Sequence, residues 1–339
     1  MIVSFYDKNF KGLQQNASLV IDRGSYSLVK RPVEMNTLSC RCEAFTEDIQ
    51  PTFLIIKNDR GGYLYGSLAG IPVVNTQNIT EITGTDLKSM LSSDIIIAPA
   101  MYSTVNAYLQ YVFDQWNVQV NQNSIPCELV FKDYVGTVPV GDHKPVEEKT
   151  VCNAWEEIRS YLKFYGLYMD TAIDLVKKKV QFIIGRTLYK NMNVKLWEYG
   201  IKNYGKWIAS VNEAQGYYID KDTGLWNAGS KWILTSRNQI TVTASNRDIY
   251  PIKRRVFTST ESLRDADTQA LTALLDAVYN ENIDIPAGDI TPDFETKFSI
   301  YLKKGGDLYK ELPCGELHYD SSGLTKFQIG YRFTGAEFI

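Results

Sequence analysis

The first 85 residues constrain the fold more than any other stretch, because they break into short runs of β-branched and aromatic residues separated by turn-forming punctuation. Ser18 to Ile21, Tyr26 to Lys30, Leu38 to Phe45, Thr52 to Lys57, Tyr63 to Leu68 and Ile79 to Thr83 each fit one strand. Between them stand Asp22-Arg23-Gly24, Arg31-Pro32, Asn58-Asp59-Arg60-Gly61-Gly62 and Gly70-Ile71-Pro72, where proline removes a backbone donor and glycine permits left-handed backbone. Short strands at this spacing predict a small barrel or sandwich. With 339 residues there is chain for roughly two to three domains. At 44% hydrophobic and 22% charged residues their cores can be filled without disulfides or metals.

Thr83-Gly84-Thr85-Asp86-Leu87-Lys88-Ser89-Met90-Leu91 closes the region as a strand-turn-helix joint. Thr85 or Asp86 caps a short helix, and Leu87, Met90 and Leu91 share one face. After Pro99 the pattern turns helical. Ser103 caps a helix whose Val105, Tyr108, Leu109, Val112 and Trp116 recur at helical spacing, and the polar stretch Asn117 to Asn123 ends it. A second helix opens on Asn153 with Glu156 three residues on, carries Trp155, Ile158, Leu162 and Tyr165 as its stripe, and stops at Gly166. Two strands follow around Lys177-Lys178-Lys179, the second placing Val180, Phe182 and Ile184 on one face.

From Trp207 the alternation returns through Tyr217-Tyr218, Lys231 to Thr235 and Ile240 to Thr243, with a hairpin turn at Asp222-Thr223-Gly224. A long helix from about Thr260 to Tyr279 aligns Leu263, Ala266, Ala270, Leu271, Leu274, Leu275 and Val278, with Asp265 and Asp267 at the positive end of its dipole. Strands at Lys297 to Leu302, Glu316 to Tyr319 and Lys326 to Phe333 finish the chain. The expected fold class is β-rich α+β in four stretches. Residues 1–97 form an N-terminal barrel-like module, 98–188 an inserted α+β domain, 189–258 a β-rich segment that completes the β modules, and 259–339 a C-terminal helix plus β module. The outer β-rich regions are expected to pack with each other across the insertion.

Several function classes lose support. Lys and Arg number 36 against 39 Asp and Glu, and the resulting charge of −3 offers no footprint for the outside of a nucleic acid. The longest apolar run, Ile95 to Met101, contains Pro99 and falls far short of the ~20 residues a spanning helix needs. Asp7 and Lys8 interrupt Met1 to Phe10 before a secretory signal could form, so synthesis in the cytoplasm without membrane insertion is expected. Cys40, Cys42, Cys127, Cys152 and Cys314 are odd in number and form no C-x-x-C pair, which indicates neither a disulfide framework nor a zinc ribbon. Cys40 and Cys42 fall on one face of a strand as small core residues.

The two histidines, His143 and His318, lie in no zinc-binding spacing, and no GxSxG, GxxxxGK[ST] or GxGxxG occurs. His143, after Gly141-Asp142, reads as a surface or hydrogen-bonded residue. The pairs Glu147-Glu148 and Glu156-Glu157 do not converge across a sugar at the about 5 to 9.5 Å a glycosidase needs. Glu156 and Glu157 read instead as the acidic start of their helix. The 22 Tyr and 6 Trp suit half-buried strands and interfaces better than a sugar platform, and Lys177 to Lys179 suits a solvated turn. No catalytic, cofactor-binding or metal-ligating residue is expected.

Four stretches carry a resemblance through their order: Leu64-Tyr65-Gly66-Ser67-Leu68-Ala69-Gly70-Ile71, then Ile82-Thr83-Gly84-Thr85-Asp86-Leu87-Lys88-Ser89-Met90-Leu91, then Asn153-Ala154-Trp155-Glu156-Glu157-Ile158 to Tyr165-Gly166-Leu167, and finally Gly306-Asp307-Leu308-Tyr309. This order resembles the tail-hub family of tailed bacteriophages: the baseplate hub of contractile tails and the N-terminal region of the tail-associated lysin, or prophage endopeptidase tail proteins, of siphophages. The resemblance implies two small β-barrel or sandwich modules with an inserted α+β domain. It also implies a homotrimeric ring in which two β modules per chain mimic six tube subunits. Its implied partners are further copies of itself, the distal tail or tube protein, the tape measure protein and tail-tip or receptor-binding proteins. DNA would pass through its lumen without specific binding, and its location would be the virion.

Two departures matter. Asp94 stands where the family leads one to expect a basic residue, which removes the basis for carrying over a ring contact there. No peptidase or glycan-hydrolase module follows before Ile339, so the family label does not transfer as an activity. The competing reading is a tail-associated cell-wall hydrolase or carbohydrate-binding protein.

Overall fold

The computed structural model describes residues 1–13, 19–43, 50–70, 73–74, 79–99, 101–141, 143, 145, 148–187, 190–199, 211–235, 240–276, 283–288, 290–306, 308 and 310–330. Most of the strands join one thirteen-stranded sheet. Its path runs Lys190–Lys195, Thr296–Tyr301, Lys310–Asp320, Ser27–Lys30, Thr37–Glu43, Ile79–Thr85, Tyr63–Ala69, Phe53–Lys57, Ile2–Tyr6 and Leu19–Val20. The N- and C-terminal β regions meet where Ser27–Lys30 pairs antiparallel with Lys310–Asp320. The path bends back toward its own middle, since Ile21, just past Leu19–Val20, bridges Cys42. That contact is a single bridge and not a ladder, so among the described residues the expected barrel is not closed by pairing.

Ile2–Tyr6, whose sequence stands out only as too polar for a signal, is a strand next to the end of the large sheet. Its Val3 and Phe5 are fully buried, and it pairs along its whole length with Phe53–Lys57. The pairing is long-range, so nothing local announces it. The same holds for Asp94–Ile97, Cys127–Phe131, Thr150–Asn153, Lys190–Lys195, Arg254–Ser259 and Ile283–Pro286, strands that the pattern does not single out. The segment around Trp207 lies outside the described residues.

Three helices pack on smaller sheets. Helix α1, Val105–Trp116, is capped by Thr104 and not by Ser103: the Thr104 hydroxyl accepts the Ala107 amide, whereas the Ser103 carbonyl is taken by the Val140 amide. The polar stretch beyond Trp116 does not end the helix at once. Asn117–Asn121 adds one π-helical turn, stabilised by Asn121 donating to Asn117 Oδ1 and the Ile125 carbonyl, before Gln122 turns left-handed. Helix α2, Ala154–Phe164, has the expected Asn153 cap and stops at Gly166, φ +61°. Both helices cover a three-stranded sheet of Cys127–Phe131, Lys179–Arg186 and Leu167–Asp174, in which Val180, Phe182 and Ile184 are buried and Phe182 packs edge-on against Phe113 and Trp116.

Helix α3, Leu263–Asp276, begins later than its apolar pattern suggests, because Ser262 takes the Asp265 amide as a cap. It lies across a four-stranded sheet ordered Ile240–Thr241, Trp226–Leu234, Glu213–Ile219 and Arg254–Ser259. Ala266, Ala270, Leu271 and Leu274 are buried there, whereas Leu263 is 38% exposed. The side chain of Leu275 and all of Val278 lie outside the described residues. The approach is close enough to require Gly216, where a Cβ would stand 2.4 Å from the Ala266 carbonyl carbon and 2.6 Å from the Asp267 nitrogen. Both are backbone atoms that cannot rotate away. Gly216→Ala is therefore expected to lower stability by about 1–3 kcal/mol, the usual cost of overpacking, and urea unfolding followed by tryptophan fluorescence checks it.

Candidate functional site

The densest polar arrangement lies where the first β module, the α2 region and the C-terminal strands converge. Arg31-Pro32 breaks strand Ser27–Lys30, and the residues on either side of the break each reach a different element. Lys30 Nζ donates to Asp170 Oδ2 at 2.7 Å. Arg31 Nε donates to Glu316 Oε1 at 2.8 Å. The Pro32 carbonyl accepts the Met169 amide at 2.9 Å. Glu34 receives Arg159 at 2.6 Å and Lys163 at 3.1 Å, both from α2. Asn36 gives its amide to Asp86 Oδ2 at 2.6 Å and its side chain to the Tyr65 hydroxyl at 3.2 Å.

Beneath this loop Lys88 is 0% exposed. Its ammonium donates to the carbonyls of Arg31 and Glu34, stands 3.4 Å from Asp86 Oδ2 and faces the Trp155 ring. Burial pulls the Lys88 pKa down, and Asp86 and Asp170 pull it part of the way back. Burial pushes Asp170 up, but Lys30, the Thr171 amide and Lys88 together more than offset this and hold the carboxyl below its usual range. Asp86 also caps the short 3₁₀ helix Leu87–Leu91 by accepting the Lys88 amide.

A second node joins the α2-side sheet to the C-terminal strands. Glu295 is 5% exposed and accepts from Lys132, Tyr134, Tyr168 and Lys190, the last two at 3.0 and 2.8 Å. Desolvation pushes its carboxyl up, but these donors prevail and bring it down to about 2.

A third node contains the one serine–histidine contact among the described residues. Between α2 and α3 lies a polar cavity of about 230 Å³ whose lining includes Cys152, Glu157, Ser160 and Arg264. Behind it His143 Nε2 stands 3.1 Å from Ser160 Oγ. This arrangement does not suit a nucleophile and base. The single Ser160 hydroxyl proton is donated to the Glu157 carbonyl at 2.8 Å, so the imidazole N–H donates to Oγ instead of accepting from it. Burial also pushes His143 down to about 3, well below the range of a base acting near neutrality. The ring packs on Tyr161 at 4.1 Å and is a core group, as the hydrogen-bonded reading allowed.

Glu157 requires a correction. Its place in the sequence suggests an acidic residue serving the helix start, but Asn153 does the capping, and the buried Glu157 carboxylate accepts from Tyr108 at 2.6 Å and from Arg264 of α3 at 2.7 Å. Tertiary partners more than 40 residues away decide this.

The remaining residues singled out by sequence do not converge. The His318 ring meets Glu316, two residues away on its own strand, at 3.0 Å. Lys178 turns left-handed between two strands, and Lys179 pairs with Glu128. Asp94 is exposed, opposite Asn153 in a two-stranded ribbon. Asp142, Glu147, Asp307 and Tyr309 lie outside the described residues. None of the five cysteines is in a disulfide. Cys40 and Cys42 are buried on one face, and burial pushes Cys40, Cys127 and Cys152 up to about 12, which leaves little thiolate. Among the described residues no group of three or more His, Cys, Asp or Glu could hold a metal ion, and no helix is long and apolar enough to cross a membrane.

No protein-family model matches the sequence, and no curated protein does either. Among solved structures, the prophage tail protein gp18 from Listeria monocytogenes EGD-e superposes with a TM-score of 0.54 at 12% identity, over 97% of this chain and 94% of that one. This chain has the fold of a phage tail protein. A Listeria prophage tail protein is also the likeness that the order of sequence motifs suggests. Lower similarity is found to a chain of the phage P2 baseplate in its activated conformation, with TM-score 0.46, 9% identity, and 97% and 98% coverage. The tail protein from Neisseria meningitidis MC58 gives TM-score 0.46, 10% identity, and 97% and 95% coverage. In this tail-protein fold, the motif residues Asp86, Leu87 and Leu91 are the buried joint itself. Sequence reasoning places them but misses Lys88 and Glu295, whose charge suggests a solvated surface.

Two outcomes test the nodes. Asp86→Asn leaves Lys88 buried without its carboxylate and is expected to cost about 3–5 kcal/mol, whereas adding Lys88→Met removes the uncompensated charge but strands the Arg31 and Glu34 carbonyls, so that only part of that loss is recovered in urea unfolding. Glu295, depressed in the folded state, contributes stability that is present above its ordinary 4.5 and lost as pH falls toward about 2. Glu295→Gln should therefore flatten the loss of stability across that window, as read by thermal unfolding at successive pH values.

Proposed function

We propose that this chain is a structural component of a bacteriophage or prophage tail tip, a hub ring joining the tail tube or distal tail protein to the tip. The observation that carries this reading is the fold shared with a prophage tail protein over nearly the full length of both chains. The polar nodes support it, because their buried charged groups bind one packed element to another. In this reading three copies close into a ring, each contributing two β modules, so that six modules meet a sixfold tube above a threefold tip. Tape measure and receptor-binding proteins are its further neighbours. DNA crosses the lumen without specific contacts, and the protein resides in the virion without acting as an enzyme.

The division into 1–97, 98–188, 189–258 and 259–339 belongs to the same proposal. Two elements tie neighbouring stretches together: Asp94–Ile97 pairs with Thr150–Asn153 across the first boundary, and Arg254–Ser259 spans the third and packs against α3. A symmetry-free reconstruction of the phage tail tip is the test. Three copies around the lumen are expected, whereas one or six copies, or clearing of bacterial cell-wall suspensions by the purified protein, would overturn the hub reading.

A further inference from the structure

Among the described residues, strand Arg254–Ser259 is the outer strand of the α3-covered sheet, paired on one side, in parallel with Glu213–Ile219. The Lys253 carbonyl accepts the amides of Asn212 and Glu213, so it points into the sheet. Parallel ladders use every second residue, which directs Arg255, Phe257 and Ser259 inward as well. The backbone donors and acceptors of Arg254, Val256 and Thr258 therefore point outward, and among the described residues none of them has a backbone partner.

The side chains around this edge are not neutral. Arg247 and Arg254 are each ion-paired with buried Glu213. Lys253 and Arg255 are exposed and have no ion pair among the described residues, Arg255 lying 4.9 Å from the centre of the Phe257 ring. Tyr250, Ile252 and Val256 add exposed apolar surface, at 69%, 49% and 46%. A second copy of the same strand is a poor occupant. Antiparallel self-pairing would crowd two sets of Lys253 and Arg255 together, the like-charge device that protects natural edges.

We propose that Arg254–Ser259 is a docking edge for an extended segment of a partner protein in which acidic residues alternate with apolar ones. The partner adds a fifth strand, its carboxylates meeting Lys253 and Arg255 and its apolar residues covering Val256 and Ile252. This does not depend on the hub arrangement, since the edge exists in the single chain.

The test is fluorescence anisotropy with the full chain and a labelled eight-residue peptide of alternating Glu and Val. Saturable binding that weakens with added salt is expected. Lys253→Glu with Arg255→Glu should weaken it at least tenfold. Val256→Pro, which deletes an outward N–H that the sheet does not use, should do the same while circular dichroism stays unchanged. An alternating Lys and Val peptide should not bind. The proposal is overturned by absent binding, by equal binding of a proline-interrupted acidic peptide, or by a single-stranded oligonucleotide binding more tightly than the acidic peptide.

Discussion

The loop that ties three parts of this molecule together is registered on an ammonium group that has no access to water. Lys88 is clamped by two carbonyls of the loop that ends strand Ser27–Lys30 and is balanced by Asp86. A buried lysine is expensive unless its donors are satisfied, so the loop must keep one conformation to satisfy them. Holding that loop fixes Lys30 toward Asp170, Arg31 toward Glu316 and Glu34 toward α2. A few consecutive residues thereby set the relative placement of three parts of the chain.

The Glu295 and Glu157 nodes repeat the principle. Each buries a carboxylate among donors from different elements: Lys132, Tyr134, Tyr168 and Lys190 in one case, Tyr108 and Arg264 in the other. Hydrophobic cores tolerate sliding more readily than charged nodes do, because apolar surface uncovered at one place finds cover again nearby, whereas an unpaired buried charge is not compensated. Such nodes suit a protein whose task is to keep its parts in fixed relation. They also account for the chemistry that looked suggestive: His143 and Ser160 are consumed by packing, their proton pointing the wrong way for base catalysis.

Much of the fold was legible because periodicity is written locally. The α2 stripe with its Asn153 cap, the turn after Asp220 and the strands from Ser27 to Thr85 each show themselves within a dozen residues. What escaped was whatever lacks a local partner. Ile2–Tyr6 needed Phe53–Lys57 to become a strand. Glu157 misleads because its helix position explains an acidic residue well enough, and the arginine that claims it stands 107 residues further on. Lys88 lies in the very motif that suggested a tail protein, yet its burial depends on a loop more than 50 residues earlier.

By itself the sequence determined the kind and order of the locally patterned elements and the absence of a familiar catalytic spacing, since alternation, helical stripes, caps and turn residues act over a few bonds. Tertiary structure alone decided that Ser27–Lys30 would pair with Lys310–Asp320, that Lys88 and Glu295 would lose their water, and that Arg254–Ser259 would be the outer, basic strand of its sheet among the described residues. The physical reason is that burial of a charge and pairing of a strand edge depend on groups up to 285 residues apart, and no local pattern encodes such a distance.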